Sequence, residues 1–471
     1  MNIESQTVQS IRQGLVRKEF SALEIAKAFL DSIKDKEKDI NAFIQVTEDL
    51  ALHQAKEIDA KISRNEDLPE LAGVPCAIKD AILVSGERCT AGSQMLRDYI
   101  APYDATVVSK IKKAGALIVG KTNMDEFGMG ASTENSSFGV VKNPHDLSRV
   151  AGGSSGGSAA SVAAKECVVS LGEDTGGSIR LPASFCGVVG LKPTYGAVSR
   201  YGVIALASSL DQVGPFAKTV GDAETVFHVI RGKDPLDATS VDQNLSHGNR
   251  DMQDLKIGIP KEYFGEGLNS EVEKAVRQAL GKLESMGAKI VEVELPHAKY
   301  ALAAYYVVNT SEASANLARY DGMRYGFSKR ENNDLLASYL DSRGESLGPE
   351  VKRRIMLGTY ALSAGYYDAY YVKALKIRTL LKQDFEKAFE KADIIAGPVS
   401  PILPFKIGEK TQDPLAMYLV DIYTVPANLV GLPAISLPAG TAGNLPVGLQ
   451  LIAKPFQEQV LFQAGKALEL S

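Results

Sequence analysis

The sequence is poor in cysteine and histidine, and this limits the chemistry that it can support. Its four cysteines include no CxxC pair, so they predict neither a zinc site nor a disulfide framework. We expect them to be small buried residues in a reducing compartment. None of the five histidines lies in a sequence motif that indicates metal binding or catalysis. The cysteines are Cys76, Cys89, Cys167 and Cys186.

The chain also lacks long apolar runs and a strong net charge. No apolar stretch of ~20 residues occurs, and the N-terminus is polar, so neither a membrane span nor a signal peptide is predicted. The cytoplasm is the expected compartment. The formal net charge of −5 gives no global positive field that would recruit nucleic acid or a membrane. Hydrophobic residues make up 45% of the 471 residues, which supports a core that needs no metal or disulfide.

Short apolar strands that alternate with helices predict an α/β fold. The first sixty residues read as helices, and strands then occur on both sides of a Tyr-rich helical stretch. This arrangement favours one domain over residues 1–471 with a helical excursion, rather than two tandem domains. The expected segments are N-terminal helices at 1–65, a core at 70–230 and a mostly helical insertion at 300–390. Strands are expected at 74–78, 116–119, 168–171, 255–259, 289–295, 393–396, 434–437 and 447–452.

Two glycine–serine segments lie inside this pattern, at 152–158 and 172–180. Glycine permits unusual backbone turns and a close approach by a ligand, and such loops align N–H groups toward a negative atom. Neither segment carries the lysine of a P-loop or matches GxGxxG, which weakens the interpretation of the two segments as a phosphate-binding site. A flexible linker does not fit between buried strands. Nucleophilic catalysis is the third interpretation, with an oxyanion hole from the N–H groups of Thr175, Gly176, Gly177 and Ser178.

The base for a serine nucleophile is the harder assignment. No GxSxG elbow is present, and His145, the histidine nearest the loops, looks like a turn residue. Lys79 follows the apolar strand at 74–78. If it is buried there, its pKa falls and its neutral amine becomes a competent base. The alternative is a surface turn formed by Lys79 and Asp80, and these residues alone favour that turn.

Three motifs in order resemble the amidase signature family, and the spacing between Ser154 and Ser178 fits that family as well. The resemblance implies a single α/β/α domain, in which a mixed β-sheet is covered by helices on both faces. It further implies Ser178 as the nucleophile, Ser154 as a bridging serine, Lys79 as the terminal base and a cis bond between Gly153 and Ser154. The motifs are Pro75-x-x-x-Lys79-Asp80, Gly152-Gly-Ser-Ser-Gly-Gly157 and Asp174-Thr-Gly-Gly-Ser-Ile-Arg180.

Further segments over nearly the whole chain resemble one branch of that family, the glutaminase subunits of tRNA-dependent amidotransferases. This resemblance implies glutamine as the substrate and a heterotrimer with B and C subunits. It implies no cofactor or metal in this chain, because the B subunit uses ATP and Mg²⁺ and binds most of the tRNA. The segments include Gly120-Lys-Thr-Asn-Met-Asp-Glu-Phe-Gly-Met-Gly130, Lys192-Pro-Thr-Tyr-Gly196 and Asp321-Gly-Met-Arg-Tyr-Gly326.

The same resemblance implies three substrate-binding residues. Arg354 would bind the α-carboxylate of glutamine, for which a guanidinium is suited by its bidentate geometry. Asp421 would bind the α-ammonium, with Tyr305 nearby. A solvated helix face is the alternative for residues 352–354, and an ordinary polar position between helices is the alternative for Asp421. At the level of function, a stand-alone amidase and a non-catalytic interaction protein are the competing hypotheses.

Overall fold

The computed structural model describes residue 3 and residues 5–242, 252–330 and 334–470. The strands in these ranges are β1 (Phe43–Val46), β2 (Pro75–Lys79), β3 (Leu117–Thr122), β4 (Lys142–Asn143), β5 (Asp146–Val150), β6 (Val169–Asp174), β7 (Val189–Lys192), β8 (Gln212–Ala217), β9 (Lys256–Pro260), β10 (Lys289–Val293), β11 (Ile394–Pro398), β12 (Ala434–Ala442) and β13 (Leu445–Ala453). The helices are α1 (Val8–Val16), α2 (Ala22–Ile40), α3 (Glu48–Ser63), α4 (Thr106–Lys113), α5 (Gly156–Ala163), α6 (Arg180–Cys186), α7 (Val220–Ile230), α8 (Ser270–Ser285), α9 (Ala301–Leu317), α10 (Leu335–Ser346), α11 (Pro349–Leu362), α12 (Lys373–Lys391), α13 (Pro414–Tyr418), α14 (Val425–Val430) and α15 (Glu458–Glu469).

Within the described ranges, eleven strands form one sheet in the order β1-β3-β2-β6-β8-β7-β12-β13-β11-β9-β10, and β4 and β5 form a separate hairpin. The sheet is mixed, because β3, β2 and β6 are parallel neighbours, whereas β7, β12 and β13 pair antiparallel. Every predicted strand is present, although its ends differ by a few residues. The α/β fold class is confirmed.

Helices cover both faces of the sheet because its strands alternate their side chains between two cores. On β8, Val213 and Ala217 pack into the core that includes residues of α7. Phe216 points to the opposite face and packs with residues of α5 and α6. Successive side chains of a strand point to opposite faces, so both sides of a central strand are buried. This confirms the three-layer arrangement that the family resemblance implies.

The prediction that the first sixty residues are all helical is wrong at Phe43–Val46. This segment is β1, and it pairs antiparallel with β3 at the edge of the sheet. Asn41 ends α2 in the left-handed conformation, with φ of 60°. The Glu37 carboxylate then accepts the N–H groups of Ala42 and Phe43, which fixes the turn into the strand. A four-residue strand at a sheet edge has too little pattern of its own to be found in the sequence.

Helices α9 to α12 lie between β10 and β11 along the chain. Residues of α9, α11 and α12 share a second apolar core with residues that precede β9. Because β10 and β11 belong to the same sheet, these helices are an excursion from one domain. No helix in the described ranges combines the length and the apolar character needed to cross a membrane. All four cysteines are buried and unpaired, as predicted for small core residues.

Candidate active site

Lys79 and Asp174 are the last residues of β2 and β6, and these parallel neighbours end at the same edge of the sheet. Lys79 is only 1% exposed. Its Nζ donates hydrogen bonds to the Ser154 hydroxyl at 2.9 Å and to the Glu173 backbone carbonyl at 3.3 Å. The surface turn that the residues alone favour is therefore wrong. Lys79 is buried and contacts one of the two candidate serines.

The surroundings of Lys79 favour its neutral form. Burial lowers the pKa of Lys79, because the charged ammonium loses its hydration in the interior. Nearby carboxylates oppose this shift, led by Glu173, whose Oε2 lies 3.9 Å from the lysine Nζ, and followed by Asp125. The net direction is downward. A neutral amine that is hydrogen-bonded to a serine hydroxyl can accept the proton of that hydroxyl.

The two candidate serines lie on loops whose backbones meet. Ser154 precedes α5, and the Gly153–Ser154 peptide bond is cis, as predicted. Ser178 lies between β6 and α6, and its carbonyl accepts the Ser155 N–H at 3.2 Å. Among the described residues, the Ser178 hydroxyl has no hydrogen-bond partner, and the residue is 8% exposed. The fold thus brings Lys79, Ser154 and Ser178 together and leaves the Ser178 hydroxyl accessible to a substrate.

The predicted oxyanion donors form a loop that Asp174 shapes. The Gly177 N–H donates to Asp174 Oδ1 at 2.9 Å and is therefore occupied. Gly177 also has a φ of 138°, a conformation that side chains disfavour. In the described part of the chain, no acceptor binds the N–H groups of Thr175, Gly176 and Ser178. Three of the four predicted donors are available to a developing oxyanion.

A buried ion pair fixes this loop. The Arg180 guanidinium donates to both carboxylate oxygens of Asp174 at 3.0 Å. Burial alone would raise the pKa of Asp174, but Arg180 and the Asn428 side chain outweigh it and lower the pKa to about 2. Arg180 also donates to the Thr424 carbonyl and the Gln450 side chain, 244 and 270 positions later in the chain. Residues near the C-terminus thus anchor the Ser178 loop.

We expect Asp174→Asn to lower the free energy of unfolding by about 3–5 kcal/mol, because it leaves the Arg180 guanidinium buried without an anion. Urea unfolding followed by circular dichroism measures this. Folding lowers the pKa of Asp174, so its stabilising contribution should be complete above about pH 4 and be lost as the pH falls through about 2. Glu273→Gln, which breaks the exposed pair with Arg277, is the control and should cost less than ~1 kcal/mol. Equal losses in both variants would contradict the anchoring role.

Tyr305 and Asp421 lie beside the same loop. A Cβ at Gly176 would be 2.3 Å from the Tyr305 hydroxyl oxygen, and one at Gly177 would be 3.2 Å from Asp421 Oδ1. The Asp421 carboxylate accepts no hydrogen bond from the described residues, although the residue is only 8% exposed. Burial raises the pKa of Asp421, and Arg354 partly opposes the shift. A positively charged group of a substrate would give this carboxylate the partner that it lacks.

Arg354 is buried and so is not part of a solvated helix face, whereas its neighbours Lys352 and Arg353 are half-buried and exposed, respectively. The Arg354 Nε donates to Glu350 Oε1 at 2.8 Å. Its guanidinium carbon lies 5.2 Å from the ring centre of Tyr306 and 5.4 Å from that of Tyr418. Among the described residues, its Nη2 group has no acceptor. A carboxylate of a substrate can therefore still bind this guanidinium, while Glu350 and the two rings hold it in place.

Three buried carboxylates around Lys79 were not among the predicted site residues, namely those of Asp125, Glu173 and Asp211. Burial raises the pKa of Asp125 and Asp211 to about 6. Burial also raises the pKa of Glu173, and the nearby ammonium of Lys79 opposes that shift. Asp125 lies within a segment that carries the family resemblance, and Glu173 lies in the second glycine–serine segment, so both charges were visible signals. Asp211 lies outside those segments. The three do not form a metal site, since the described ranges contain no suitable group of three or more His, Cys, Asp or Glu.

The sequence and the fold of this chain are similar to those of proteins named as amidases or as amidotransferase subunits. A family model named Amidase matches residues 24–462. The A subunit of glutamyl-tRNA(Gln) amidotransferase from Carboxydothermus hydrogenoformans is 58% identical over 467 residues, which cover 98% of this chain and 96% of that relative. The crystal structure of the A subunit of glutamyl-tRNA(Gln) amidotransferase from Thermotoga maritima matches this chain with a TM-score of 0.83 and 42% sequence identity. The match covers 100% of this chain and 95% of the Thermotoga chain. The structure of the native peptide amidase from Stenotrophomonas maltophilia matches with a TM-score of 0.81 and 27% identity, and the match covers 100% of this chain and 97% of the peptide amidase.

Proposed function

Because the chain belongs to the amidase family, we propose that it is the glutamine-hydrolysing A subunit of a glutamyl-tRNA(Gln) amidotransferase. The extent of its identity to two proteins of that name supports this assignment. The structural observation that carries the proposal is the unpaired, buried carboxylate of Asp421 beside the Ser178 loop. Arg354 is close enough to influence the ionisation of that carboxylate. Glutamine has an α-ammonium for Asp421, an α-carboxylate for Arg354 and a carboxamide for Ser178.

In the proposed reaction, Ser178 attacks the carboxamide carbon of glutamine. Neutral Lys79 takes a proton from Ser154 while Ser154 takes the proton of Ser178, which makes the attacking oxygen nucleophilic. The carboxamide oxygen becomes negatively charged, and the free N–H groups of the loop at 175–178 stabilise it. The 2.9 Å hydrogen bond between Lys79 and Ser154 supports this order of transfer.

The protonated lysine then returns its proton through Ser154 to the leaving nitrogen, which departs as ammonia. Ser178 is left as a γ-glutamyl ester. A water molecule attacks this ester, its proton moves through Ser154 to Lys79, and glutamate leaves as the proton returns to Ser178. Each proton that Lys79 accepts is given back, so one amide is hydrolysed with no net change in the enzyme.

The ammonia is consumed by partner subunits in this proposal. A B subunit uses ATP and Mg²⁺ to amidate Glu-tRNA(Gln), Asp-tRNA(Asn) or both, and a C subunit completes a cytoplasmic heterotrimer. Support comes from the relatives, which are named as subunits, and from the net charge of −5, which suits a chain that leaves tRNA binding mainly to its partner.

A stand-alone amidase is the second candidate, because the fold of this chain also matches that of a peptide amidase. We expect glutamine hydrolysis that the B and C subunits stimulate, and much weaker hydrolysis of a simple aliphatic amide such as propionamide. Efficient turnover of propionamide by the isolated chain, without stimulation by B and C, would favour the stand-alone amidase. If the complex hydrolysed no amide, a non-catalytic protein would be favoured. The hydrogen bond between Lys79 and Ser154 argues against that hypothesis.

Asp421→Asn should raise the KM for glutamine by about 10- to 100-fold, since a charge-assisted contact with the α-ammonium contributes about 1.5–3 kcal/mol. The variant is isosteric and breaks no hydrogen bond that the carboxylate accepts from the described residues. Steady-state kinetics of the complex with both amides measures the effect, and hydrolysis of propionamide should change little. Lys352→Met is the control, because this half-exposed residue lies on α11 with Arg354 but outside the site. An unchanged KM in Asp421→Asn would remove Asp421 from substrate binding.

A further inference from the structure

Glu173 is a buried carboxylate that the reaction described above does not use. It is 2% exposed, and its Oε1 has no hydrogen-bond partner among the described residues. Its Oε2 lies 3.9 Å from Lys79 Nζ, and its backbone carbonyl accepts a hydrogen bond from the same nitrogen. A buried carboxylate without donors is costly unless a positive charge lies close to it. Among the described residues, Lys79 is the cation that lies within salt-bridge distance of Glu173.

The other carboxylates near Lys79 are stabilised in different ways. Asp125 accepts two backbone N–H groups, from Thr133 and Asn135. Asp211 accepts backbone N–H groups and the Thr175 hydroxyl. Asp174 is paired with Arg180, as described above. Within the described ranges, the Glu173 side chain has no such donors, and Arg200, which lies beyond salt-bridge distance, adds positive charge.

We propose that Glu173 is a positioning residue for catalysis, whose carboxylate keeps Lys79 basic enough to draw the proton that Ser154 relays from Ser178. The inference rests on the proposed function, in which Lys79 is the terminal base. Burial weakens an amine as a base, and too weak a base cannot take a proton from a serine. Ionised Glu173, which Lys79 itself stabilises, offsets part of that weakening through its charge. Its backbone carbonyl and the Ser154 hydroxyl hold the amine in place.

The pH profile of glutamine hydrolysis tests this inference in the complete complex. Activity needs neutral Lys79, so it falls as the pH drops through the pKa of that lysine. Glu173→Gln keeps the shape of the side chain but removes its charge, so the pKa of Lys79 falls and the acidic limb of kcat/KM moves to lower pH. A neighbouring opposite charge shifts a pKa by about 1–3 units, which is the expected displacement. The weaker base should also reduce kcat on the plateau by about tenfold.

Glu166→Gln is the matched control. Glu166 is also fully buried with both carboxylate oxygens unpartnered, but no cation lies within salt-bridge distance of it in the described structure. This variant should leave the acidic limb where it is. The inference is overturned if the acidic limb of Glu173→Gln stays at its native pH, or if the limb of Glu166→Gln moves by the same amount. This holds whatever the rates of the two variants are.

Glu173→Asp covers the case in which Glu173→Gln fails to fold. This variant keeps the charge but shortens the side chain by one methylene group, which moves the carboxylate away from Lys79. The acidic limb should therefore move in the same direction as in Glu173→Gln, by a smaller amount. An unshifted limb in the variant that folds overturns the inference. Failure of the proposed function is a different result, because the native complex would then hydrolyse no glutamine and there would be no profile to compare.

Discussion

Ser178→Ala is expected to reduce kcat for glutamine hydrolysis by about 10⁴-fold or more, the scale on which serine hydrolases respond to loss of their nucleophile. The reason is chemical, because no other hydroxyl in the site combines access to the substrate with a place on the oxyanion loop. The Ser154 hydroxyl already binds Lys79 Nζ at 2.9 Å. A coupled assay for glutamate measures the rate, and hydroxylamine trapping detects the γ-glutamyl ester.

The comparison variant for this experiment is Ser161→Ala on α5. Ser161 is a buried serine whose hydroxyl donates to the Ser158 carbonyl, away from the proposed proton path. We expect it to keep most of the activity and to form the ester. If Ser178→Ala still formed a trapped ester, the nucleophile would be a different residue and the roles given to Ser154 and Ser178 would have to be exchanged or abandoned.

Lys79→Met should have the second large effect, a loss of about 10³-fold or more in kcat, because the serine pair then has no base. Methionine fills a similar volume without a charge, so the variant removes the amine with little change in packing. The residual activity should also lose the acidic limb that titration of Lys79 gives the native enzyme. Rate measurements over a pH series that spans the acidic limb of the native enzyme test both expectations.

Lys192→Met is a suitable control for the lysine experiment. Lys192 is as deeply buried as Lys79, burial lowers its pKa to about 7, and its Nζ donates to the Pro193 carbonyl. It contacts neither candidate serine. We expect its variant to keep the acidic limb and to lose much less activity. If both variants lost activity equally, the effect would come from removing any buried lysine, and Lys79 would not be the base.

Much of the framework could be predicted from the sequence because it depends on local pattern. The strand before Lys79 is a run of apolar residues, and the glycines of the two loops mark turns that other residues cannot adopt. The order of the three motifs then indicated which residues share a site. What the local pattern could not decide was burial. Lys79 alone favoured a surface turn, and Arg354 lies in a segment with the composition of a solvated helix face.

Those interpretations failed because the partners that bury these side chains lie far away in the sequence. Glu173 and Ser154 hold Lys79 only after β2 and β6 have paired. Arg354 is covered by Tyr418, 64 positions later on another helix. The Gly177 N–H was predicted to face a substrate, yet Asp174 takes it because Arg180 holds that carboxylate in place.

The large sequence separation between Arg180 and the residues that it binds has a consequence for folding during synthesis on the ribosome. Ser178 emerges early, but the Thr424 carbonyl and the Gln450 side chain that Arg180 binds follow Arg180 by 244 and 270 positions. The strand that carries Gln450 also enters the middle of the sheet, between β12 and β11. Contacts this distant form late, because the entropy of closing a long loop has to be overcome first. Chains that have not yet reached Gln450 therefore carry Ser178 without this support, and we expect them to hydrolyse glutamine poorly.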